Sequence, residues 1–131
     1  MTKNKLTLKV FFITSLLFLN GSALAEWTLV SESNRAKHYI DINTYRKNAN
    51  IGTIWELTNA KQRGTQGELS VRARVEYDCT KERSNYLSIS THSEPDGGGK
   101  LLGTVDYSKE DWKNIAPGTV ANTIFTIVCP K

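Results

Sequence analysis

The sequence has few of the residues from which most catalytic and metal sites are built. Its 131 residues include only two histidines, His38 and His92, and only two cysteines, Cys79 and Cys129. These residues do not have the spacing of a zinc site, and a Cys-x-x-Cys redox pair is absent. The residues that other enzyme motifs require are missing or isolated. We therefore predict no catalytic residue, no metal ligand and no cofactor, and we interpret both histidines as surface residues.

The sequence also lacks a hydrophobic run long enough to span a bilayer. Its longest apolar segment, residues 10–19, has about half of the roughly 20 residues that a spanning helix needs. Three lysines precede this segment, and a small-x-small pattern, Ala-Leu-Ala, follows it. This three-part order predicts a secretory signal peptide, residues 1–25, which is cleaved between Ala25 and Glu26.

Export and cleavage determine where the protein is expected to act. The mature domain would comprise residues 26–131 and would have no segment that inserts stably into a membrane. The envelope of a Gram-negative bacterium is the natural destination, either in the periplasm or at the cell surface and outside the cell. Since no cysteine follows the cleavage site directly, we do not expect a lipoprotein.

The charge of the chain argues against nucleic-acid binding. The formal net charge is +4, but three of the basic residues are lysines of the predicted signal peptide. The mature domain has fourteen basic and thirteen acidic side chains, a net charge of +1. A nucleic-acid interface needs a basic stripe, whereas charges of both signs alternate here. We therefore predict a protein partner and no nucleic acid.

The two cysteines are predicted to form a disulfide. In an exported domain of this size, a single cysteine pair indicates a disulfide and not a metal site. Cys79 and Cys129 are separated by 50 positions. In the chain-entropy description, closing a loop of this length stabilises the fold by about 4 kcal/mol.

Residues 69–79 show the longest strict alternation of apolar and polar side chains. Their pattern predicts a central strand with one buried face and one face in water, where Arg72, Arg74 and Glu76 maintain solubility. Shorter alternating segments predict five more strands, at residues 27–31, 37–42, 51–57, 85–92 and 101–107.

Three polar segments are predicted to connect these strands. Residues 43–50 indicate a loop or a single helical turn, and residues 59–68 an exposed connection with almost nothing to bury. Residues 94–99 contain a proline followed by three glycines, which predicts a tight turn. Residues 69–107 therefore have the pattern of an antiparallel meander.

The C-terminal segment, residues 120–129, has a mixed pattern. Its apolar residues recur at roughly helical spacing, Thr119 is a plausible N-cap, and Pro130 would end the element. Its β-branched residues favour a strand instead. The pattern alone leaves both interpretations open.

Aromatic residues are numerous for a small domain. We interpret them as core and sheet-face packing. The alternative is that one or two are anchors of a binding surface, because Trp and Tyr dominate interface hot spots. They are Trp27, Tyr39, Trp55, Tyr77, Tyr86, Tyr107 and Trp112.

Short motifs occur in a characteristic order along nearly all of the predicted mature domain. They are WTLV at residues 27–30, YID at 39–41, IWEL at 54–57, YDC at 77–79, a glycine-rich hairpin before Gly103, Trp112, IAPGT at 115–119, and VC at 128–129. In this order they resemble the surface-adhesin protein E family of bacterial envelope proteins.

The resemblance implies a fold of the α+β class. It implies a single antiparallel β-sheet of about six strands with a C-terminal helix packed on it, and one disulfide that matches Cys79 and Cys129. It also favours a helix for residues 120–129.

The same resemblance implies an exported, non-catalytic protein-binding module of the envelope. The family takes its name from a member that attaches to host matrix proteins such as vitronectin and laminin and can self-associate, so a homodimer is one expectation. The alternative is a periplasmic inhibitor or accessory subunit that docks on another envelope protein. The exposed sheet edge and residues 59–68 are the expected contact regions.

Overall fold

The structure is a computed structural model, and it describes residues 24–107 and 109–131. The predicted signal peptide lies outside the described residues, except for Leu24 and Ala25, which are exposed and belong to no helix or strand. Within these described ranges, no helix is long and apolar enough to cross a membrane.

The described residues form one antiparallel sheet of seven strands and one C-terminal α-helix, as the α+β prediction requires. Six strands follow one another across the sheet in chain order, and the short seventh strand pairs with the start of the fifth. The strands are β1 (Thr28–Glu32), β2 (Ala36–Asn48), β3 (Ile51–Ala60), β4 (Ser70–Asp78), β5 (Arg83–His92), β6 (Leu101–Asp106) and β7 (Lys113–Asn114). A 3-10 turn, Pro95–Gly97, lies between β5 and β6, and the helix is α1 (Val120–Val128).

The sheet has two faces that differ in what covers them. On the helix-side face, apolar residues of β2, β3 and β4 pack against Ile124 and Val128 of α1 and form the core. The buried sheet residues of this core are Ile40, Ile54, Ala73, Val75 and Tyr77. At one end of the opposite face, the Pro95–Gly97 turn contacts β3 and β4.

β4 is the central strand that its alternation predicts. It pairs along its whole length with β3 on one side and β5 on the other. The prediction that the polar face of β4 lies in water is wrong at the two ends of the strand, because Ser70 and Asp78 are buried. Their polar groups are satisfied locally: the Ser70 hydroxyl donates to the Glu94 carbonyl at 2.6 Å and accepts the Gly97 N–H at 2.9 Å.

The prediction of a loop or helical turn at residues 43–50 is wrong, because β2 continues to Asn48. The pairing of β2 with β3 shifts register between Asp41 and Arg46. Within this bulge, the Thr44 hydroxyl donates to the Asp41 carbonyl at 2.6 Å and accepts the Trp55 N–H at 3.0 Å. The Thr44 side chain thus replaces part of the pairing between β2 and β3, and β2 continues as a strand although this segment is polar.

The C-terminal segment is a helix, which confirms the expectation from the family resemblance. The Thr119 hydroxyl accepts the Asn122 N–H at 3.1 Å, so the predicted N-cap is also confirmed. Ile124 and Val128 lie one turn apart and are both buried. At the end of the helix, the Tyr45 hydroxyl donates to the Val128 carbonyl at 2.7 Å and ties α1 to β2.

The predicted disulfide joins Cys79 and Cys129, with their Cα atoms 5.4 Å apart. Cys79 follows β4 directly, and Cys129 follows α1 directly. The bond therefore fastens the end of the helix to the end of the central strand. Beside it, the Asp78 carboxylate accepts the Lys81 N–H at 3.0 Å, which orders the turn after β4.

Removal of the disulfide tests how far the fold depends on this link. We expect the Cys79→Ala/Cys129→Ala double variant to lose about 4 kcal/mol of unfolding free energy, because its unfolded chain regains loop entropy. Urea denaturation of the parent and variant measures the difference. Chemical reduction of the parent should produce the same loss, and equal unfolding midpoints before and after reduction would contradict the prediction.

Candidate protein-contact surface

β6 is an open edge of the sheet. The only part of the described chain that pairs with it is β5, and all six of its residues are exposed. The Tyr107 N–H donates to the Leu87 carbonyl at 3.0 Å, toward β5. Because consecutive residues of a strand direct their N–H groups to opposite sides, the N–H groups of Thr104 and Asp106 point away from the sheet. Such an edge can pair with a further strand.

Exposed apolar side chains lie beside this edge on the helix-side face. Tyr86, Val105 and Tyr107 are 45%, 49% and 43% exposed, and Val105 pairs across the strands with Ile89. The helix packs against residues of β1 to β4 and leaves Tyr86, Val105 and Tyr107 exposed. We call these four residues, together with the free edge of β6, the β5–β6 surface.

A partly buried carboxyl group borders this surface. Glu56 of β3 lies on the helix-side face and accepts a hydrogen bond from the Tyr77 hydroxyl. Burial raises the pKa of Glu56 to about 7, although the Tyr77 hydrogen bond acts in the opposite direction. Burial also raises the pKa of Tyr86, and the nearby Glu56 and Tyr107 raise it further. The charge next to the β5–β6 surface therefore changes near neutral pH.

The stability of the protein should depend on the ionisation of Glu56. Its pKa is about 7 in the folded protein against an ordinary value of 4.5, so the folded state favours the protonated form. Ionisation therefore destabilises the fold as the pH rises from the lower value through the higher one. We expect Glu56→Gln to be more stable than the parent by up to about 3 kcal/mol above about pH 8, and equally stable at about pH 4.

Chemical denaturation at a series of pH values measures this effect. Glu82→Gln is the matched control, because it removes the charge of an exposed glutamate and should leave the stability unchanged. A constant difference between Glu56→Gln and the parent at all pH values would contradict the pKa assigned to Glu56.

The two histidines do not form a site, and they are not the surface residues that the sequence predicts. His38 is partly buried on the helix-side face, with its Nδ1 atom 3.1 Å from the Thr58 hydroxyl. His92 is buried on the opposite face, with its Nε2 atom 2.8 Å from the Ser90 hydroxyl. Burial lowers the pKa of both, and the charge of Arg72 lowers that of His92 further. Across the described ranges, no group of three or more His, Cys, Asp or Glu residues is arranged to hold a metal ion.

The prediction of an exposed connection at residues 59–68 is confirmed only in part, because β3 continues through Asn59 and Ala60 and several residues of the segment are partly buried. Hydrogen bonds give the connection a defined shape. The Arg63 guanidinium donates to the carbonyls of Gly67 and Ser93, at 2.8 and 2.6 Å. Lys61 forms an ion pair with Glu32 of β1 at 2.8 Å. This segment presents mainly polar side chains, so the β5–β6 surface is the better candidate for an apolar protein contact.

The structure shows which aromatic residues are buried and which are exposed, a distinction that the sequence alone does not give. Tyr77 belongs to the core, whereas Tyr86 and Tyr107 are exposed on the β5–β6 surface. Trp27 and Trp55 lie against Arg72 on the opposite face, and Trp112 lies against Arg83. The alternation of residues 101–107 places Val105 and Tyr107 on one face, but it does not indicate that this face is uncovered.

An open-edged antiparallel sheet with one disulfide-linked C-terminal helix defines this protein as a small α+β domain. The sequence profile of the family described as "Surface-adhesin protein E" matches residues 27–130. The chain belongs to the surface-adhesin protein E family.

Solved structures of Haemophilus influenzae protein E have a similar fold. Crystal form II of that protein has 14% sequence identity and a TM-score of 0.57, with 82% of this chain and 96% of that chain covered. The protein E structure from non-typeable Haemophilus influenzae has 15% identity and a TM-score of 0.60, with 83% and 78% covered. At these identities the likeness shows the fold alone. No curated protein sequence matches this chain.

Proposed function

We propose that this protein is an exported, non-catalytic protein-binding module of the bacterial cell envelope that adheres to a host matrix protein. The observation that carries this proposal is the free edge of β6 beside the exposed side chains of Tyr86, Val105 and Tyr107. Its membership of a surface-adhesin family supports the same role.

The β5–β6 surface suits the addition of a strand from a partner. The outward N–H groups of Thr104 and Asp106 would bond to the backbone of that strand, which contributes affinity that depends little on sequence. The side chains of Tyr86, Val105 and Tyr107 would contact its alternate side chains and contribute specificity. Tyr86 and Tyr107 suit this role because a tyrosine buries a large apolar ring while its hydroxyl stays hydrated.

Adhesion to a host requires that the domain leave the cytoplasm. The proposal therefore includes cleavage between Ala25 and Glu26, which leaves residues 26–131 as the mature domain, and exposure at the cell surface. Mass spectrometry of the N-terminus and protease treatment of intact cells test both points. Confinement of the protein to the periplasm would exclude host contact and favour docking on another envelope protein.

Replacement of one edge residue tests the proposed contact. Thr104→Pro removes an outward N–H but none of the bonds to β5, so the fold should persist. We expect at least tenfold weaker binding to immobilised vitronectin or laminin, about 1.4 kcal/mol, because the partner loses a backbone hydrogen bond and meets a bulky ring. Surface plasmon resonance of the exported protein measures the affinity.

Thr104→Ala is the matched control, because it removes the same side chain and retains the N–H; it should bind as the parent does. Equal binding by the proline and alanine variants would exclude the edge. If the parent shows no saturable binding to either matrix protein, the adhesin proposal is wrong.

Self-association through the same edge is a second candidate contact. Two copies of β6 can pair antiparallel about a two-fold axis, because each copy then presents the same surface to the other. Analytical ultracentrifugation of the parent and Thr104→Pro distinguishes the cases. A parent dimer that becomes monomeric in the proline variant would support pairing through β6, and a parent that is monomeric at all concentrations would exclude it.

A further inference from the structure

A cleft of about 750 Å³ opens on the opposite face of the sheet, away from the β5–β6 surface. The segment before β1 (residues 24–27), strands β3 and β4 and the bulge of β2 contribute its walls. The side chains that matter here are Glu26, Trp27, Asp41, Asn43, Trp55 and Arg72. Because the cleft lies on the other face, it can be tested independently of the proposed protein contact.

Arg72 lines this cleft and lies against two indole rings. Its guanidinium carbon lies 5.8 Å from the ring centroid of Trp27 and 5.1 Å from that of Trp55. Both distances are within the range of a cation–π contact. The two rings therefore restrict where the guanidinium can move.

The aliphatic part of Arg72 is fixed by the Pro95–Gly97 turn. A Cβ atom at Gly97, where φ is +73°, would lie only 2.6 Å from the Cδ atom of Arg72. Asn59 holds this turn through two hydrogen bonds with Asp96, of 2.7 and 2.9 Å. The turn thus approaches the arginine closely because residue 97 has no side chain, and the guanidinium is preorganised before any ligand arrives.

The polar groups of Arg72 lack partners among the described residues. Its Nε atom is fully buried and has no hydrogen-bond acceptor, and the ion pairs of the described residues involve other side chains. Arg83 is an internal comparison, because it also lies over an indole, that of Trp112, at 4.5 Å. Its Nε, however, donates to the Asp78 carboxylate at 3.1 Å. Of these two arginines in contact with indole rings, only Arg83 forms an ion pair with a carboxylate of the described residues.

We propose that Arg72 binds the carboxylate of a small ligand in this cleft. When aromatic rings occupy the faces of a guanidinium, its N–H groups remain available in the plane, where they match the two oxygens of a carboxylate. The Arg72 guanidinium forms no ion pair with a carboxylate of the described residues, and a carboxylate ligand would supply one. The carboxylate could belong to the C-terminus of a peptide or to a sugar acid, since both present the same group.

The far side of the cleft would recognise the neutral part of such a ligand. Asp41 accepts the Asn43 N–H at 3.1 Å, and the Asn43 side-chain amide donates to Glu26 at 3.1 Å. Their remaining oxygens can accept hydrogen bonds from an amide N–H or a hydroxyl group of the ligand. The predicted cleavage after Ala25 would remove two lining residues, Leu24 and Ala25, and leave the positive amine of Glu26 at the rim. The processed protein is therefore the form that binds.

Two pairs of probes test the ligand class with the protein exported from cells. N-acetylglycine and its amide form one pair, and glucuronate and glucose form the other. Within each pair, the first probe has a carboxylate and the second is neutral. NMR signals of the indole N–H groups report binding at Trp27 and Trp55, with Trp112 as an internal control. We expect saturable shifts at Trp27 and Trp55 with at least one carboxylate and not with its neutral match. The probe that gives the shifts identifies the source.

Variants of Arg72 and of the nearby Arg74 test whether Arg72 is the residue that binds the carboxylate. Arg72→Met keeps the packed stem without the guanidinium and should weaken binding of the carboxylate probe by about tenfold or more. Arg74→Met changes an exposed arginine on the same face of β4 and should leave the affinity unchanged. Arg72→Lys keeps a positive charge without the planar fork, so it should also weaken binding.

Several results would overturn the proposal. They are no saturable shift with either carboxylate probe, equal shifts with the neutral probes, equal shifts at Trp112, or unchanged affinity in both Arg72 variants. If Arg72→Met does not fold, the Arg72→Lys variant and the probe titrations of the parent decide the outcome.

Discussion

One short helix covers only part of a wide sheet, and most of the structure follows from this constraint. A helix of nine residues is about 14 Å long, whereas six strands span about 24 Å. The disulfide from Cys79 to Cys129 fastens the end of the helix to the end of β4, and α1 packs against residues of β1 to β4. The core forms where the helix lies, and the last two strands keep apolar side chains in contact with water. In a small domain, such an uncovered apolar surface is typical of a contact site.

The two candidate sites lie on opposite faces and have different chemistry. The β5–β6 surface offers backbone hydrogen-bonding groups and aromatic side chains, which suit an extended protein segment. The cleft around Arg72 offers a fixed positive charge between aromatic rings, which suits a small anion. Each site has a group in it or beside it that lowers the stability of the fold. Burial raises the pKa of Glu56 beside the β5–β6 surface, and the Nε atom of Arg72 lacks a hydrogen-bond acceptor. Groups that break the local rules of stability are expected where a protein makes contacts with other molecules.

Features that depend on neighbouring residues or on strict periodicity could be predicted from the sequence. The alternation of residues 69–79 defined the central strand, and Thr119 indicated the start of the helix correctly. Whether residues 120–129 form a helix could not be derived from their pattern, because β-branched residues and helical spacing indicate opposite structures. Burial of Ile124 and Val128 against the sheet decides it. The length of β2 was also missed, because its polar continuation is held by the Thr44 hydroxyl and by pairing with β3.

The sequence by itself determined the disulfide pair and the number and approximate positions of the six main strands. The tertiary structure alone decided that His92 is buried, that Arg72 lies against Trp27 and Trp55, and that Tyr86 and Tyr107 are exposed. The physical reason is the range of the interactions. Alternation states which residues share a face of a strand, but burial depends on what lies over that face. Here the covering elements are the helix and the Pro95–Gly97 turn, which pack on strands from other parts of the chain.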